Sequence, residues 1–409
     1  MLILSIDTSA DETSVAIVED RRVLVSVVSS QITSHKIWGG INPGVARLAH
    51  EKRITPVVKR ALKKLHGIRK IAASSKLRAT SSEKTAASGE LQATDSDRSP
   101  GALEYYSIKD IDAVAVTQGP GLSIALDVGI AKAKELAREW GKPLIAVNHM
   151  AGHLYSPFVQ NSVGHPDGVI PDRFLSLLIS GGHTQIVQSQ KSKVKSENMH
   201  GEPNAESKAE RAKLRESEHH FSILGETMDD AAGEALDKAA KMLGLGYPGG
   251  AVIERLAKEV GNKDFYRFPR PMIGLPTLDM SFSGLKTHLV YFLRGEKGMV
   301  VDPVAQLREI ASSFQEAVFD TVIRKLDKAI VQTGITTLAV GGGVIANKRL
   351  RLLLRQLMKK HGGTVVFPPL KYLCGDNAAM IGVAAYMQTA GTISSIDLNS
   401  LSSEPRMRL

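Results

Sequence analysis

The chain is almost without cysteine, with one in 409 residues. It can close no internal disulfide and build neither a multi-cysteine zinc site nor an iron–sulfur cluster. A metal would have to be held by histidine and carboxylate. Long apolar runs are lacking too, and none approaches the ~20 residues a helix needs to cross a bilayer. The opening Met1–Ile6 is apolar but meets Asp7 at once and has no basic flank, so it reads as a strand and not as a signal peptide. What the chain does carry is positive charge. Lys and Arg number 52 against 42 Asp and Glu, a net +10 compatible with a polyanionic partner without requiring one. With 43% hydrophobic and 23% charged residues it is neither fibrous nor disordered throughout, and its length exceeds one ordinary core.

Apolar runs at 2–6, 14–18 and 22–30 predict three short strands in succession. A helix is expected over 44–66, its outer face basic at Lys52, Arg53, Lys59, Arg60, Lys63 and Lys64. That face is either simply solvated or a contact for a phosphate backbone. Residues 74–107, with eight serines and little apolar periodicity, read as an irregular insert. Residues 189–219, with seven basic and six acidic residues, read as a second, in which 205–218 forms an exposed helix. Between and beyond them strands at 111–117, 144–147, 173–179, 184–188 and 337–340 alternate with helices at 132–140, 229–243, 250–260, 304–333, 346–361 and 377–389. The alternation predicts an α/β architecture. No tandem repeat is visible.

Glycines and small residues cluster after strands, at Gly119–Gly121, Ser180–Gly182, Gly249–Gly250 and Gly341–Gly343. Such corners let backbone approach a ligand. None matches GxxxxGK[ST] or GxGxxG, so neither a P-loop nor a Rossmann site is expected. Asp7, at the end of the first strand, is either a turn cap or a carboxylate facing phosphates or a metal. Asp237 is either an ordinary helix carboxylate or a partner for hydroxyls. His149 and His153, in NHMAGH, share one face if their segment is helical, and Asp376 in LCGDNAA is the best third ligand. Ala151 stands where a zincin protease needs its glutamate, which excludes that class. Cys374 reads as a small buried hydrophobe or a reactive thiol. SFSGLK offers a serine beside a lysine, Ser281 and Lys286, with Lys286 better used as a positive charge in a cleft.

These fragments line up with one family. SIDTSADETSVAIV, SHKIWGG, VTQGPGL, KPLIAVNHMAGHL, LLISGGHTQIV, LGETMDDAAGEALDKAAKMLGLGYPGG, SFSGLKTHLV, VGGGVIANKRLR and LCGDNAAMIGVAAY resemble the blocks of the TsaD-type tRNA threonylcarbamoyladenosine transferases, also called glycoprotease-like. The resemblance implies an actin-like, sugar-kinase-like α/β fold of two lobes around a central cleft. Residues 1–145, completed by a C-terminal helix at 377–390, would form the first lobe and 146–376 the second. It implies transfer of L-threonylcarbamoyl from its adenylate to N6 of adenosine 37 in tRNAs reading ANN codons, with release of AMP. One divalent metal, Fe2+ or Zn2+, would sit on His149, His153 and Asp376. The adenylate would meet Leu178, Ile179, Ser180, Gly181 and Gly182, with further contacts from Asp237, Gly250 and Asn347, and with Gly341–Gly343 against the adenosine. Asp7 is a candidate catalytic helper. A separate synthase would supply the adenylate. Partners would be a second copy in a mitochondrial-type member, or a paralogous subunit plus a small ATPase in a bacterial one, with no membrane association.

The chain departs from the family pattern in places. Asp7 and Ala10 replace a Glu and a Cys, and PGVARL replaces a PELASR-type stretch. Asp127 stands where a cation is usual, and Gly375 replaces a Thr beside Asp376. A catalytically weak scaffold in a tRNA-modification assembly is therefore the alternative reading, and an ATP-dependent kinase or hydrolase a third. The inserts and a pI of about 9.5 favour the mitochondrial matrix, whereas the lack of a basic presequence favours the cytoplasm.

Overall fold

The computed structural model describes residues 1–70, 105–166, 168–191, 219–295, 302, 304–389 and 396–409. Most of both inserts, including the helix expected at 205–218, lies outside the described residues. The second insert is shorter than expected. A strand β7 (Thr184–Lys191) runs past residue 189, and β8 (His219–Glu226), which the sequence did not announce, begins at its other end.

Two five-stranded sheets organise the chain. The first is built from β1 (Leu2–Asp7), β2 (Glu12–Glu19), β3 (Arg22–Ser30), β4 (Ala113–Gly119) and β5 (Leu144–Asn148), in the order β3-β2-β1-β4-β5. The second uses β6 (Arg173–Ile179), β7, β8, β9 (Thr337–Gly341) and β10 (Thr364–Val366), in the order β10-β9-β6-β7-β8. Numbered from its own first strand, each sheet reads 3-2-1-4-5. The first three strands of each run antiparallel and the last two pair in parallel. The repeat missed in the sequence is a repeat of topology.

Both faces of the first sheet are covered, which is why β1 is buried at every position instead of alternating. Leu2, Leu4 and Ile6 meet residues of α2 (Pro43–Leu65) and α3 (Ser123–Trp140) in one core cluster; α1 is the single turn Ile32–His35. Ile3 joins the opposite cluster with α10 (Ala378–Thr389). The second sheet packs Leu175, Leu177 and Ile179 against α5 (Ala232–Met242), α7 (Ser283–Leu293) and α8 (Leu307–Thr333), with α6 (Gly249–Glu259) and α9 (Lys348–Lys360) completing that core. Two helices stand between the sheets: α4 (His149–Tyr155), and α10.

α4 and α10 touch where Gly152 has no side chain. A Cβ there would lie 2.9 Å from Ile381 Cδ1 and 3.0 Å from Met380 Cγ. The N-terminus of α10 is held to the first sheet by Ser5 Oγ donating to the Ala378 carbonyl at 2.6 Å, and by the Ala378 amide donating to Ser14 Oγ at 2.9 Å. With α10 pinned from behind, there is nowhere to move for a branched side chain at position 152. Gly152→Val is expected to destabilise the protein by about 1–3 kcal/mol through overpacking, read as a lowered melting temperature. An unchanged melting curve would refute the tight α4–α10 contact.

Candidate metal centre and donor cavity

Two asparagines start the two segments that carry the histidines and the aspartate. Asn148 caps α4, its side-chain oxygen accepting from the Met150 amide at 2.8 Å and the Ala151 amide at 3.3 Å. Asn377 does the same for α10, accepting from the Met380 amide at 3.0 Å, while its own Nδ2 donates to the Gly375 carbonyl at 2.8 Å. His149 and His153 then project from one face of α4, and Asp376 enters from the loop before α10. One carboxylate oxygen, Asp376 Oδ1, lies 3.4 Å from His149 Nε2 and 3.2 Å from His153 Nε2. The three ligand atoms all fall within 4.8 Å of one another, a group that could hold a metal ion.

The remaining polar atoms fit that use. Nδ1 of His149 and of His153 are buried without a hydrogen-bond partner, as is Asp7 Oδ2. Asp7 is fully buried, and its Oδ1 accepts from Thr117 Oγ1 at 2.8 Å and stands 3.6 Å from His149 Nδ1. A carboxylate behind a histidine fixes ring and tautomer and leaves the far nitrogen for a metal. Two imidazoles and one carboxylate suit a divalent transition metal.

Electrostatics mark the same spot. Burial disfavours a charged His149, but Asp376 and Asp7 outweigh it and raise its pKa to about 10. Burial opposes ionisation of Asp376 as well, yet the two histidines hold its carboxyl well below the usual carboxylate range. His183 goes the other way: burial, then the charges of His149 and His153, push it down to about 4. Burial, followed by Asp11 and Asp376, pushes the Glu12 carboxyl up to about 10. The sequence reading passed over His183 and the Asp11–Glu12 pair, although both lie in quoted blocks, SGGHT and ADETS. The signal available was their place directly after β6 and β1.

Next to this group is a cavity of about 290 Å³, whose lining includes Gly181, Asp237, Gly250, Gly343 and Asn347. Asp237 Oδ1 accepts from the Gly249 and Gly250 amides at 2.7 and 3.0 Å, which fixes the carboxylate at the cavity wall. Asn347 caps α9 through the Leu350 amide and donates to Gln315 Oε1 at 2.9 Å. Several expected contacts take a different form. Leu178 and Ile179 are core residues, so only their backbone is available to a ligand. Ser180 Oγ accepts from the Gly182 and His183 amides and so shapes the turn; Ser180 and Gly182 are not in the cavity wall. Of Gly341–Gly343 only Gly343 lines the cavity. Gly341 is needed for close approach, since a Cβ there would sit 2.3 Å from the His153 carbonyl oxygen.

Other candidates are accounted for. Cys374 is buried, with Arg351 Nη2 3.5 Å from its sulfur. Ser281 hydrogen-bonds Asp229 while Lys286 pairs with Asp230 at 2.9 Å, so no serine–lysine nucleophile is assembled. The basic face of α2 begins at Lys52 and Arg53, close to His50, and runs away from the site. His50 of that helix touches the Ala10 carbonyl at 3.1 Å, and Lys59 to Lys64 lie 9–14 residues further on, roughly 13–21 Å along the axis.

This is an actin-like, sugar-kinase-like α/β protein with a His/His/Asp group at α4 and the loop before α10, and a glycine-walled cavity lined by segments of the second sheet's half. HypF from T. kodakarensis shares the fold at a TM-score of 0.52 and 12% identity, over 95% of this chain and 48% of that one. A family model for TsaD, tRNA N6-adenosine threonylcarbamoyltransferase, matches residues 22–75, 104–213 and 210–383. The enzyme of that name from Syntrophotalea carbinolica is 37% identical over 408 residues, 99% of this chain and 97% of its own. That from Kosmotoga olearia is 38% identical over 402 residues, 98% of each. The chain belongs to the TsaD family of tRNA N6-adenosine threonylcarbamoyltransferases and is a transferase.

Protons and a metal compete for His149, so metal uptake is expected to release protons and to strengthen as pH rises. His149→Ala should abolish uptake with the fold retained; metal content by elemental analysis and circular dichroism check this. In the metal-free protein the raised pKa of His149 gives a definite sign. Its charge contributes stability fully below about pH 6.5, and that contribution is lost as pH rises towards 10. His149→Gln should flatten this part of the stability–pH curve, measured by urea unfolding.

Proposed function

We propose that this chain transfers L-threonylcarbamoyl from L-threonylcarbamoyladenylate to N6 of adenosine 37 in tRNAs reading ANN codons, releasing AMP. The observation that carries the reading is the His149–His153–Asp376 group together with the cavity at Gly181, Asp237, Gly250 and Gly343, linked by the Gly341–Gly343 corner. Gly341 touches the His153 backbone, and Gly343, two residues on, lines the cavity. A donor held in the cavity would lie with one end towards that corner.

The donor is a mixed anhydride whose leaving group is already good. A bond forms between N6 and the carbonyl carbon, the carbon–oxygen bond to phosphate breaks, AMP leaves with the bonding pair, and one N6 proton is released. The protein's work is to orient and to stabilise charge. Asp237, fixed by two amides, would accept from hydroxyls of the donor, and Gly181 and Gly343 let backbone close on it. Asn347 completes the wall. His149, His153 and Asp376 would hold one divalent ion, Fe2+ or Zn2+, which when bound supplies a Lewis acid for an oxygen of the donor. Asp7 serves His149 as a positioning residue and does not touch the substrate.

The lobes are placed at 1–145 with 377–390, and at 146–376. The relatives are named as transferases, which does not favour the scaffold alternative. Among the described residues no helix is long and apolar enough to cross a membrane. A second copy, or a paralogous subunit with a small ATPase, is the proposed partner, in the mitochondrial matrix or the cytoplasm.

Incubation of the protein and its partner subunits with the adenylate and tRNA should yield the modified nucleoside on hydrolysis; none formed would overturn the reading. Asp237→Asn keeps an acceptor for the Gly249 and Gly250 amides but loses the charge. It should raise the donor KM about tenfold, as expected for a lost charged hydrogen bond, and leave tRNA affinity unchanged. A loss of tRNA affinity alone would remove Asp237 from the donor site.

A further inference from the structure

The turn after α1 exposes an apolar surface that nothing among the described residues covers. Residues Lys36–Trp38 form one turn of 3₁₀ helix, closed by Gly39 in the left-handed region at φ +64°. Ile37 is 84% exposed, Trp38 55% and Ile41 38%. The turn is held at its base and has no freedom to bury these side chains. The Gln31 amide donates to the Asp11 carbonyl at 2.9 Å, and fully buried His35 lies 3.3 Å from the Gln31 side-chain oxygen through one nitrogen and from the Asn42 amide through the other.

Its position is at the mouth of the cleft. A Cβ at Gly39 would lie 3.7 Å from Lys241 Cε and Nζ, so the turn reaches across to α5 of the second sheet. Asp237, on the donor cavity wall, is one helical turn earlier on the same face of α5. Exposed Lys36, in the same turn as Trp38, and exposed Lys241, against Gly39, bring two cations to the turn that presents the indole, one helical turn from Asp237 on the wall of the cavity in which the donor is proposed to sit. Single-stranded RNA is recognised by stacking its unpaired bases on aromatic rings, with cations on the neighbouring phosphates.

We propose that the Lys36–Gly39 turn is the RNA-docking platform: Trp38 stacks on an unpaired base of the anticodon loop beside the target adenosine, and Lys36 and Lys241 contact the flanking phosphates. This rests on the functional reading above and adds the element that presents the acceptor. A bland aliphatic patch would suit a protein partner equally well; an indole between two cations suits a base between two phosphates.

The chain has only two tryptophans, Trp38 and Trp140. In a Trp140→Phe background the fluorescence of Trp38 alone is read during titration with a synthetic anticodon stem-loop. Saturable quenching is expected. Trp38→Ala should weaken stem-loop affinity roughly tenfold or more, and Trp38→Phe, which keeps a ring, by about threefold or less. Lys36→Glu should also weaken binding and lower its salt slope by about one unit. Donor KM and melting temperature should not change in any of these variants. If Trp38→Ala binds and modifies RNA as its parent does, the platform is refuted; a loss of subunit assembly in that variant with RNA binding intact would mark a protein contact and equally refute it. If the parent itself neither binds nor modifies the stem-loop, the functional reading falls, and the platform with it. The two failures are told apart by which protein fails.

Discussion

The constraint on which the site depends is the contact between α4 and α10 at Gly152. α4 carries both histidines, and the loop entering α10 carries Asp376. Those three side chains meet only because a residue with no side chain stands between the two histidines and lets the helices close to contact distance. The same helix is approached from its other side by Gly341, again with no room for a Cβ. α4 is thus gripped by α10 on one side and the corner of β9 on the other. A site so built is held to position by packing, which is what a constellation of three ligands from two segments requires. The cost is that the imidazoles and carboxylate are gathered in a largely buried place, where each depends on the others for its charge state.

The repeated 3-2-1-4-5 topology explains why the glycine corners fall where they do. The first strand of each sheet ends in a tight turn, Asp7 onward after β1 and Ser180–His183 after β6. The fourth strand of each ends in glycines, Gly119–Gly121 after β4 and Gly341–Gly343 after β9. These are the ends of central strands, outside which open α/β sheets place their ligands. The two halves have divided the work. In the first, the turn after β1 supplies Asp7 behind His149; in the second, the corners supply Gly181 and Gly343 to the cavity.

How much of this was legible depended on whether the information is local. Strands buried on both faces and long helices with apolar periodicity stood out, and α2, α8 and α10 fall within a few residues of their expected ends, whereas α3 begins nine residues before the expected 132. The histidine pair was readable from its i, i+4 spacing, and Asp376 from its block. The helix α7 and the short strand β10 were not, although Leu285, Leu289 and Phe292 of α7 stand at helical spacing; β10 is only three residues long. The duplication was invisible since only pairing order repeats, and the side chains that satisfy it differ. The roles of Leu178 and Ile179 could not be read either: a block of family likeness does not say whether a residue gives its side chain to the core or its backbone to a ligand. The basic face of α2 shows a related limit, as periodicity places charges on one face of a helix but says nothing of which end of that helix reaches the cleft.

The departures from the family pattern take a different meaning once they are located. Arg47, in the altered PGVARL stretch, and Asp127, where a cation is usual, line one groove between α2 and α3 together with Glu51, Lys132 and Glu135. Arg47 pairs with Glu51 at 2.8 Å, and the Asp127 charge also favours its protonated form. The two changes therefore belong to one another. A negative charge placed on α3 and a positive one displaced by a residue on α2 restore opposite signs across the same groove. That groove shares no residue with the donor cavity or with the His149–His153–Asp376 group. The altered charges at Arg47 and Asp127 thus lie on a surface apart from the His149–His153–Asp376 group, whereas two other departures, Asp7 and Gly375, stand directly beside it.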